Sequence, residues 1–358
     1  MKIFKSLICL AVITGLLVIF TGCPKTANEA EKIKPLGAVY FTFFDTVSYV
    51  YSYAGDTQDE FAENCTEVSG ILEKYHALFD IYYEHAGVTN LKTLNLNAGG
   101  EAMEVSAELI DFLLYAKELY VKTDGEMNIM MGSVLRLWHD CREEASNNPA
   151  GARVPTREEL EEANKHTDIN SLEIDVEKGT VRITDPKASI DVGALGKGYA
   201  TEIAAQHLKN KGVSSYVLNI GGNIRIIGTK VDGSGWDTGV KNPKNSSTYA
   251  MYMTISNISC VTSGNYERYY TVDGERYHHI IDKDTLMPAQ YFGSVTILTD
   301  DSGLADALST ALFSMSYEDG VKLIEKIGGV DVIWITLDGE ILMTDGAAKL
   351  QNHDYGKK

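Results

Sequence analysis

Asp191-Val192-Gly193-Ala194-Leu195-Gly196-Lys197-Gly198-Tyr199-Ala200 is the stretch around which the chain is organised. A β-leaning segment, Ala188-Ser189-Ile190, leads into a turn holding three glycines, and a helical pattern opens at Lys197. Tyr199, Ala200, Ile203, Ala204 and Leu208 follow at helical spacing, and Gly212 is a natural stop. Glycines let backbone amides approach a bound group closely, and a helix N-terminus carries partial positive charge. Lys197 adds a full one. This chemistry suits a phosphate or pyrophosphate, although the same residues also suit a plain strand–turn–helix junction with a solvated lysine. Neither of the two commonest phosphate loops is present. G-x-x-x-x-G-K-[ST] needs Gly at 191 and Ser or Thr at 198, where the chain has Asp191 and Gly198. Gly193, Gly196 and Gly198 read G-x-x-G-x-G, the reverse of the dinucleotide fingerprint.

The N-terminus points to a compartment. Lys2 and Lys5 precede an apolar run from Leu7 to Phe20, then Thr21-Gly22-Cys23. This is the pattern of a signal peptide over residues 1–22. Thr21-Gly22-Cys23 resembles a bacterial lipoprotein box with Cys23 as the lipidated residue, Phe20 departing from the usual Leu-type residue. The run is short for a span of roughly 20 residues. The expected location is therefore extracytoplasmic, with a lipid anchor on the outer face of the cytoplasmic membrane or on the periplasmic side. The formal charge of −18 becomes two units more negative once Lys2 and Lys5 are removed. So acidic a body disfavours nucleic acid as a partner, because sequence-independent binding needs basic surface. Cys65, Cys141 and Cys260 show no paired spacing, hence no disulfide framework and no zinc site. Cys65 falls on an apolar helical stripe with Phe61, Val68 and Leu72.

Residues 23–37 read as a tether and 38–350 as one domain, long enough for a single large core or two intimate lobes. Phe41 to Tyr53, interrupted at Asp45-Thr46, reads as a strand, followed by helices over about 57–76 and 105–121. Between them the stretch with Thr93-Leu94-Asn95 reads as irregular, and Thr123-Asp124-Gly125 breaks the second helix. Asn128 to Trp138 is partly helical in pattern, 141–155 reads as a surface excursion, and Thr156 with Glu159 forms a capping box. Ile174–Val176 with Thr180–Thr184 suggests a small hairpin. Tyr216 to Ile220 reads as a buried strand ending in Gly221-Gly222, with further strands at Arg225–Thr229 and Tyr249–Ser256. The Asp-Gly pairs at 273–274 and 338–339 predict hairpins. Helices are expected over 302–316 and 317–327. This mixture argues an α+β fold rather than a regular parallel series, with a hairpin-rich C-terminal half.

Asp306 and Thr310 lie four residues apart at the edge of an apolar helical stripe. They offer hard oxygen ligands for Mg²⁺ or Ca²⁺, but two are too few for a cage, so substrate phosphates and a carbonyl would complete the shell. A capped helix in which Thr310 bonds back to the preceding turn suits the same residues. His278 and His279 are adjacent on a hairpin strand, so at most one faces a given pocket. Thr262-Ser263-Gly264 reads as a turn able to hold a phosphate, or as a plain loop.

The order of these blocks carries more than each alone. Asp191 to Ala200, Asn219-Ile220-Gly221-Gly222, Thr262-Ser263-Gly264 through Tyr266-Glu267-Arg268, His279-Ile280-Ile281-Asp282 and Asp306-Ala307-Leu308-Ser309-Thr310 resemble the ApbE family of FAD:protein FMN transferases. The resemblance spans about residues 38 to 346 and implies T-fold-related mixed sheets with packed helices. It implies Mg²⁺ as cofactor and FAD as substrate, with FMN attached through a phosphoester to a Thr or Ser of a target protein and AMP released. By the same resemblance Asp306, Thr310 and a carbonyl at Ala194 hold the metal, and His279 is catalytic. Flavin contacts fall on Asn95, Thr123, Asp124, Gly125, Asp191, Lys197, Gly221, Gly222 and Ser263. His279 suits the base by its intrinsic pKa, and Asp306 can share that role, although a metal-bound carboxylate is a weak base.

Three positions depart from the family pattern. Glu126-Met127-Asn128-Ile129 stands where many relatives have Phe-Asp-Pro-Thr, Asn223 where Asp often follows the glycine pair, and Gly196 where Ala often precedes the lysine. The first weakens the transfer of flavin contacts near 126–131. The expected partner is an acceptor flavoprotein subunit of a membrane electron-transfer complex, or a related extracytoplasmic flavoprotein. Alternative readings are an Mg²⁺-dependent FAD pyrophosphatase giving FMN and AMP, and a non-catalytic FAD-binding lipoprotein.

Overall fold

The aromatic run after the tether folds back on itself as β1 (Leu36–Phe43) and β2 (Thr46–Ser52), in a computed structural model that describes residues 34–355. The expected signal peptide, the lipidated Cys23 and most of the tether lie outside the described residues. Phe44 and Asp45, with φ of 52° and 51°, form the two-residue turn whose twist matches the flanking strands. The strand thus begins before residue 38 and is a hairpin rather than one element.

Helix α1 (Gln58–Phe79) starts at a capping box of Thr57 and Glu60, and buries Phe61, Cys65, Val68, Leu72 and Tyr75 along one face. The stretch expected to be irregular contains a short helix, α2 (Leu91–Leu96), because Asn90 caps it through the Thr93 amide. After β3 (Met103–Glu104) come α3 (Ala107–Lys122), capped by Ser106, and α4 (Gly132–Asn147). Helix α4 runs into the supposed surface excursion, since Cys141 and Ala145 continue the buried stripe of Val134 and Trp138. The capping box of Thr156 and Glu159 opens α5 (Arg157–Asn164). The hairpin β4 (Leu172–Asp175) and β5 (Thr180–Ile183) joins β3 in a small sheet of order β3-β5-β4.

Helix α6 (Gly196–Asn210) leads into β6 (Tyr216–Ile220) and β7 (Asn223–Ile227). The hairpin β8 (Trp236–Asn242) and β9 (Asn245–Ile255) precedes β10 (Ser259–Gly264), then β11 (Tyr269–Val272) and β12 (Glu275–His278). The chain closes with β13 (Phe292–Thr299), α7 (Ser302–Phe313), α8 (Tyr317–Ile327), β14 (Asp331–Thr336), β15 (Ile341–Met343) and α9 (Asp345–Leu350). The principal sheet has order β1-β2-β6-β7-β10-β13-β14-β15, every neighbour antiparallel. The mixed α+β architecture is as expected.

Alternation along the strands splits the core between the two faces of this sheet. Tyr216, Leu218 and Ile220 of β6 pack toward α1, α3 and α6, whereas Val217 packs with the β8–β9 side. Val332 and Trp334 of β14 pack with α7 and α8, whereas Ile333 and Ile335 face β9 and α9. Thr262-Ser263-Gly264 forms the end of β10 at the sheet centre, not a turn: Ser263 pairs with Val295 and Gly264 with Ser294. Strand β13 is buried at all eight positions, so it carries no alternating pattern to betray it. Cys65, Cys141 and Cys260 are buried free thiols. Among the described residues no helix is long and apolar enough to cross a membrane.

Candidate active site

The glycine turn is clamped from outside before it contributes anything. Asn95 brackets Ile190, its side-chain amide donating to the Ile190 carbonyl at 2.9 Å and its oxygen accepting the Ile190 amide at 2.7 Å. The Asp191 amide donates to the Ile129 carbonyl at 2.8 Å, and Ser189 bridges Met131. Ala188 to Ile190 is therefore held as an isolated bridge rather than a regular strand. Asp191 Oδ1 accepts the Gly193 amide at 2.8 Å, and the Leu195 and Gly196 amides both donate to the Val192 carbonyl, at 3.0 and 2.8 Å. The chain enters α6 tightly wound.

The first turn of α6 carries amides with no partner inside the helix, and Gly198, the third residue after the Leu195 cap, is one of them. It donates to Asp306 Oδ2 of α7 at 2.8 Å. The Ala194 carbonyl is left without a hydrogen bond among the described residues, at the place expected for a metal-binding oxygen. Gly198 has to be glycine, because a Cβ there would collide with the Ser302 carbonyl and Asp306 Cβ. Lys197 Nζ donates to the Gly193 carbonyl at 3.2 Å and lies 3.7 Å from Asp306 Oδ2.

Asp306 is 5% exposed, and its Oδ1 has no hydrogen bond among the described residues. On the same helix Ser309 and Thr310 face β10: Ser263 Oγ lies 2.8 Å from Ser309 Oγ and 3.4 Å from Thr310 Oγ1. Among the described residues no three His, Cys, Asp or Glu side chains gather as a metal cage. The donors present are a carboxylate, a hydroxyl and a carbonyl. That hard-oxygen set fits Mg²⁺ when waters or substrate phosphates complete the shell.

The two histidines separate at the end of β12, His278 being its last residue and His279 the first beyond it. His278 is buried against Phe313, donating from Nε2 to the Ala289 carbonyl at 2.9 Å and accepting the Ile280 amide at Nδ1, so its role is structural. His279 Nδ1 lies 3.2 Å from the Arg268 carbonyl, an acceptor only, so Nδ1 carries the proton and Nε2 keeps a free lone pair. Burial, then the charges of Arg268, His278 and Arg142, push the His279 pKa down to about 3. Burial raises the Asp191 carboxyl above its ordinary range, opposed by the Gly193 amide and by His139, Lys197 and Arg268. Asp191, Lys197, Arg268 and His279 thus share one electrostatic neighbourhood. Arg142 adds to it and donates to His139 Nδ1 at 2.9 Å.

Arg268 closes the block beginning at Thr262, and its charge beside His279 was available to sequence reasoning, which passed over it. Arg142 lay in the stretch read as a surface excursion. Other expected flavin contacts are occupied elsewhere. Thr123 is fully buried with its hydroxyl donating to the Leu119 carbonyl and accepting the Met127 amide. Asp124 pairs on the surface with Lys326 at 2.7 Å, and Asn95 spends its side chain on Ile190. Gly125 has φ of 86° and ends α3. Glu126, where the family pattern fails, pairs with Lys283 at 3.2 Å. Gly221 packs its backbone against Thr46, and Gly222 takes the Asn219 side chain at 3.0 Å. That turn shares a sheet end with Ser263, because β6 and β10 run in the same direction.

The α6–α7 contact is open to direct test. Gly198→Ala is expected to force the helices apart, destabilising the protein by about 1–3 kcal/mol in denaturant melts. An unchanged melting midpoint would show that the close approach is not needed.

Residues 45–334 match the family model described as the ApbE family. The FAD:protein FMN transferase of Treponema pallidum is 31% identical over 271 residues, covering 72% of this chain and 73% of that protein. The enzyme of the same name from Vibrio cholerae is 28% identical over 312 residues, covering 86% and 88%. The crystal structure of the ApbE protein from Thermotoga maritima superposes with a TM-score of 0.77 at 29% identity, covering 89% of this chain and all of that one. Flavin transferase ApbE from Vibrio cholerae, at 24% identity and a TM-score of 0.72, shares the fold. With the matched segment running from the first hairpin through β14, and so taking in both sides of the α6–α7 contact, the chain belongs to the ApbE family.

Proposed function

We propose that this protein transfers FMN from FAD to a Thr or Ser hydroxyl of an acceptor protein, with Mg²⁺ and with release of AMP. The observation that carries the reading is the bond from the Gly198 amide to Asp306, which ties the glycine turn to α7 and leaves the second carboxylate oxygen unbonded among the described residues. Support also comes from the family and from relatives named for this activity.

In this mechanism Asp306, Thr310 and the Ala194 carbonyl hold the metal. Bound there, Mg²⁺ would offset the charge that builds on the pyrophosphate oxygens as the bond breaks. The Lys197 ammonium and the amides at the α6 entry add fixed positive charge on the same side. The acceptor hydroxyl oxygen bonds to the FMN phosphorus, and the bond from that phosphorus to the bridging oxygen breaks. AMP leaves with the bridging oxygen. His279 takes the hydroxyl proton at Nε2, which the Arg268 carbonyl keeps free by holding the ring proton on Nδ1. The acceptor would be a flavoprotein subunit of a membrane electron-transfer complex or a related extracytoplasmic flavoprotein, met by a body anchored through lipidated Cys23.

Incubation with FAD, Mg²⁺ and a candidate acceptor, followed by AMP release and acceptor mass, tests the reading. An FMN-sized adduct with equimolar AMP is expected. AMP without adduct would replace transfer by hydrolysis, and neither product would leave only flavin binding. Asp306→Ala should lose Mg²⁺-dependent AMP release, and full activity in that variant would remove the metal assignment. His279→Ala should keep FAD affinity while transfer slows by about 10²–10⁴-fold. With its pKa pushed down to about 3, His279 is neutral across physiological pH, so its acid limb in kcat/KM should fall below about pH 4. A limb centred near the ordinary histidine value would contradict the environment described.

A further inference from the structure

Helix α7 is almost wholly buried, from Ser302 to Phe313, and most of that surface is apolar. Apolar burial holds a helix in place without fixing its register, because the attraction is not directional. A slip of one turn, about 5.4 Å, would take Asp306 away from Gly198. Something directional has to pin the helix at its start.

The start of α7 is met by two carboxylates. Asp301 caps it, its Oδ1 accepting the Gly303 and Leu304 amides at 2.7 and 3.1 Å. Glu202, one turn beyond Gly198 on α6, accepts the Ser302 amide on Oε2 at 3.0 Å. That same oxygen accepts Nε of Arg225 at 2.9 Å. Arg225 stands on β7 with 0% exposure, and its Nη1 donates to the Ile226 carbonyl at 2.9 Å. A buried guanidinium is kept only where it is paired and hydrogen-bonded. Here it also offsets the negative charge collected at the helix start.

We infer that the buried Arg225–Glu202 pair positions the metal-side helix of the active site, by holding the Ser302 amide and so fixing where Asp306 and Thr310 stand. Neither residue touches the proposed metal or substrate. They act through α7, in series from the sheet to α6 to the first amide of the helix. This inference rests on the Mg²⁺ reading of Asp306 and Thr310.

Binding of Mn²⁺ to the full-length protein, followed by electron paramagnetic resonance without FAD turnover, tests it. Glu202→Ala should weaken Mn²⁺ about tenfold, the size of one lost charge-assisted hydrogen bond. Glu202→Gln keeps an acceptor for the Ser302 amide and Arg225→Lys keeps the charge, so each should lose less Mn²⁺ affinity than Glu202→Ala. Ser302→Pro removes the donor and puts the ring Cδ on the side that faced Glu202 Oε2. Asp301, with φ −114° and ψ 118°, already has the backbone that precedes proline, the first helical position tolerates it, and the Ser302 hydroxyl has no partner to lose. It should match Glu202→Ala, and the double variant should be no weaker than either alone. Additive losses, or parental Mn²⁺ affinity in folded Ser302→Pro, would overturn the inference. If Glu202→Ala does not fold, Ser302→Pro decides alone. Absence of Mn²⁺ binding by the parent protein would instead strike the metal reading itself.

Discussion

The bond from the Gly198 amide to Asp306 couples two helices that share no local sequence, and the rest of the site depends on it. It is possible only because residue 198 lacks a side chain, which lets α6 and α7 approach until backbone meets carboxylate. The same bond does two things. It seats Asp306 in a buried position with one oxygen engaged and the other unbonded among the described residues. It also brings the positive end of α6 against a carboxylate. The principal sheet holds both helices on one face, with α6 leading into β6 and α7 following β13.

Electrostatically the site inverts the molecule around it. The chain as a whole carries a formal charge of −18, yet Lys197, Arg268 and Arg142 converge on Asp191 and His279. Local cationic charge inside an acidic body favours a polyanion at one place and repels it elsewhere. Burial first, and then the neighbouring cations, favour the neutral form of His279, while the Arg268 carbonyl decides which nitrogen is free.

Much of this was legible in the residues. The three-glycine turn, the capping boxes at Thr57 and Thr156, and the apolar stripe with Asp306 at its edge all showed in spacing alone. What stayed hidden has physical reasons. Strand β13 is buried on both faces and so lacks alternation, and β10 was mistaken for a turn because Thr262-Ser263-Gly264 has turn-like composition but sits mid-sheet. Asn95 and Thr123 drew attention as polar residues in the right blocks. Their side chains are engaged with Ile190 and with the end of α3, contacts that no periodicity encodes. The Arg225–Glu202–Ser302 series joins residues from three distant segments, so only the folded chain brings it into view.

The strand order has a consequence for biogenesis. Gly198 and Asp306 lie 108 residues apart, and β7 finds its second neighbour only when β10 arrives. A nascent chain that stops before β10 therefore exposes an unpaired strand edge in the middle of its future sheet. Such non-local pairing closes late and slowly. Chemical competence arrives with α7, after β13 has covered β10. The second edge of β13 stays open until β14 follows α7, so a chain that stops anywhere before β14 leaves an apolar strand edge unpaired, and one that stops before α7 is inert as well.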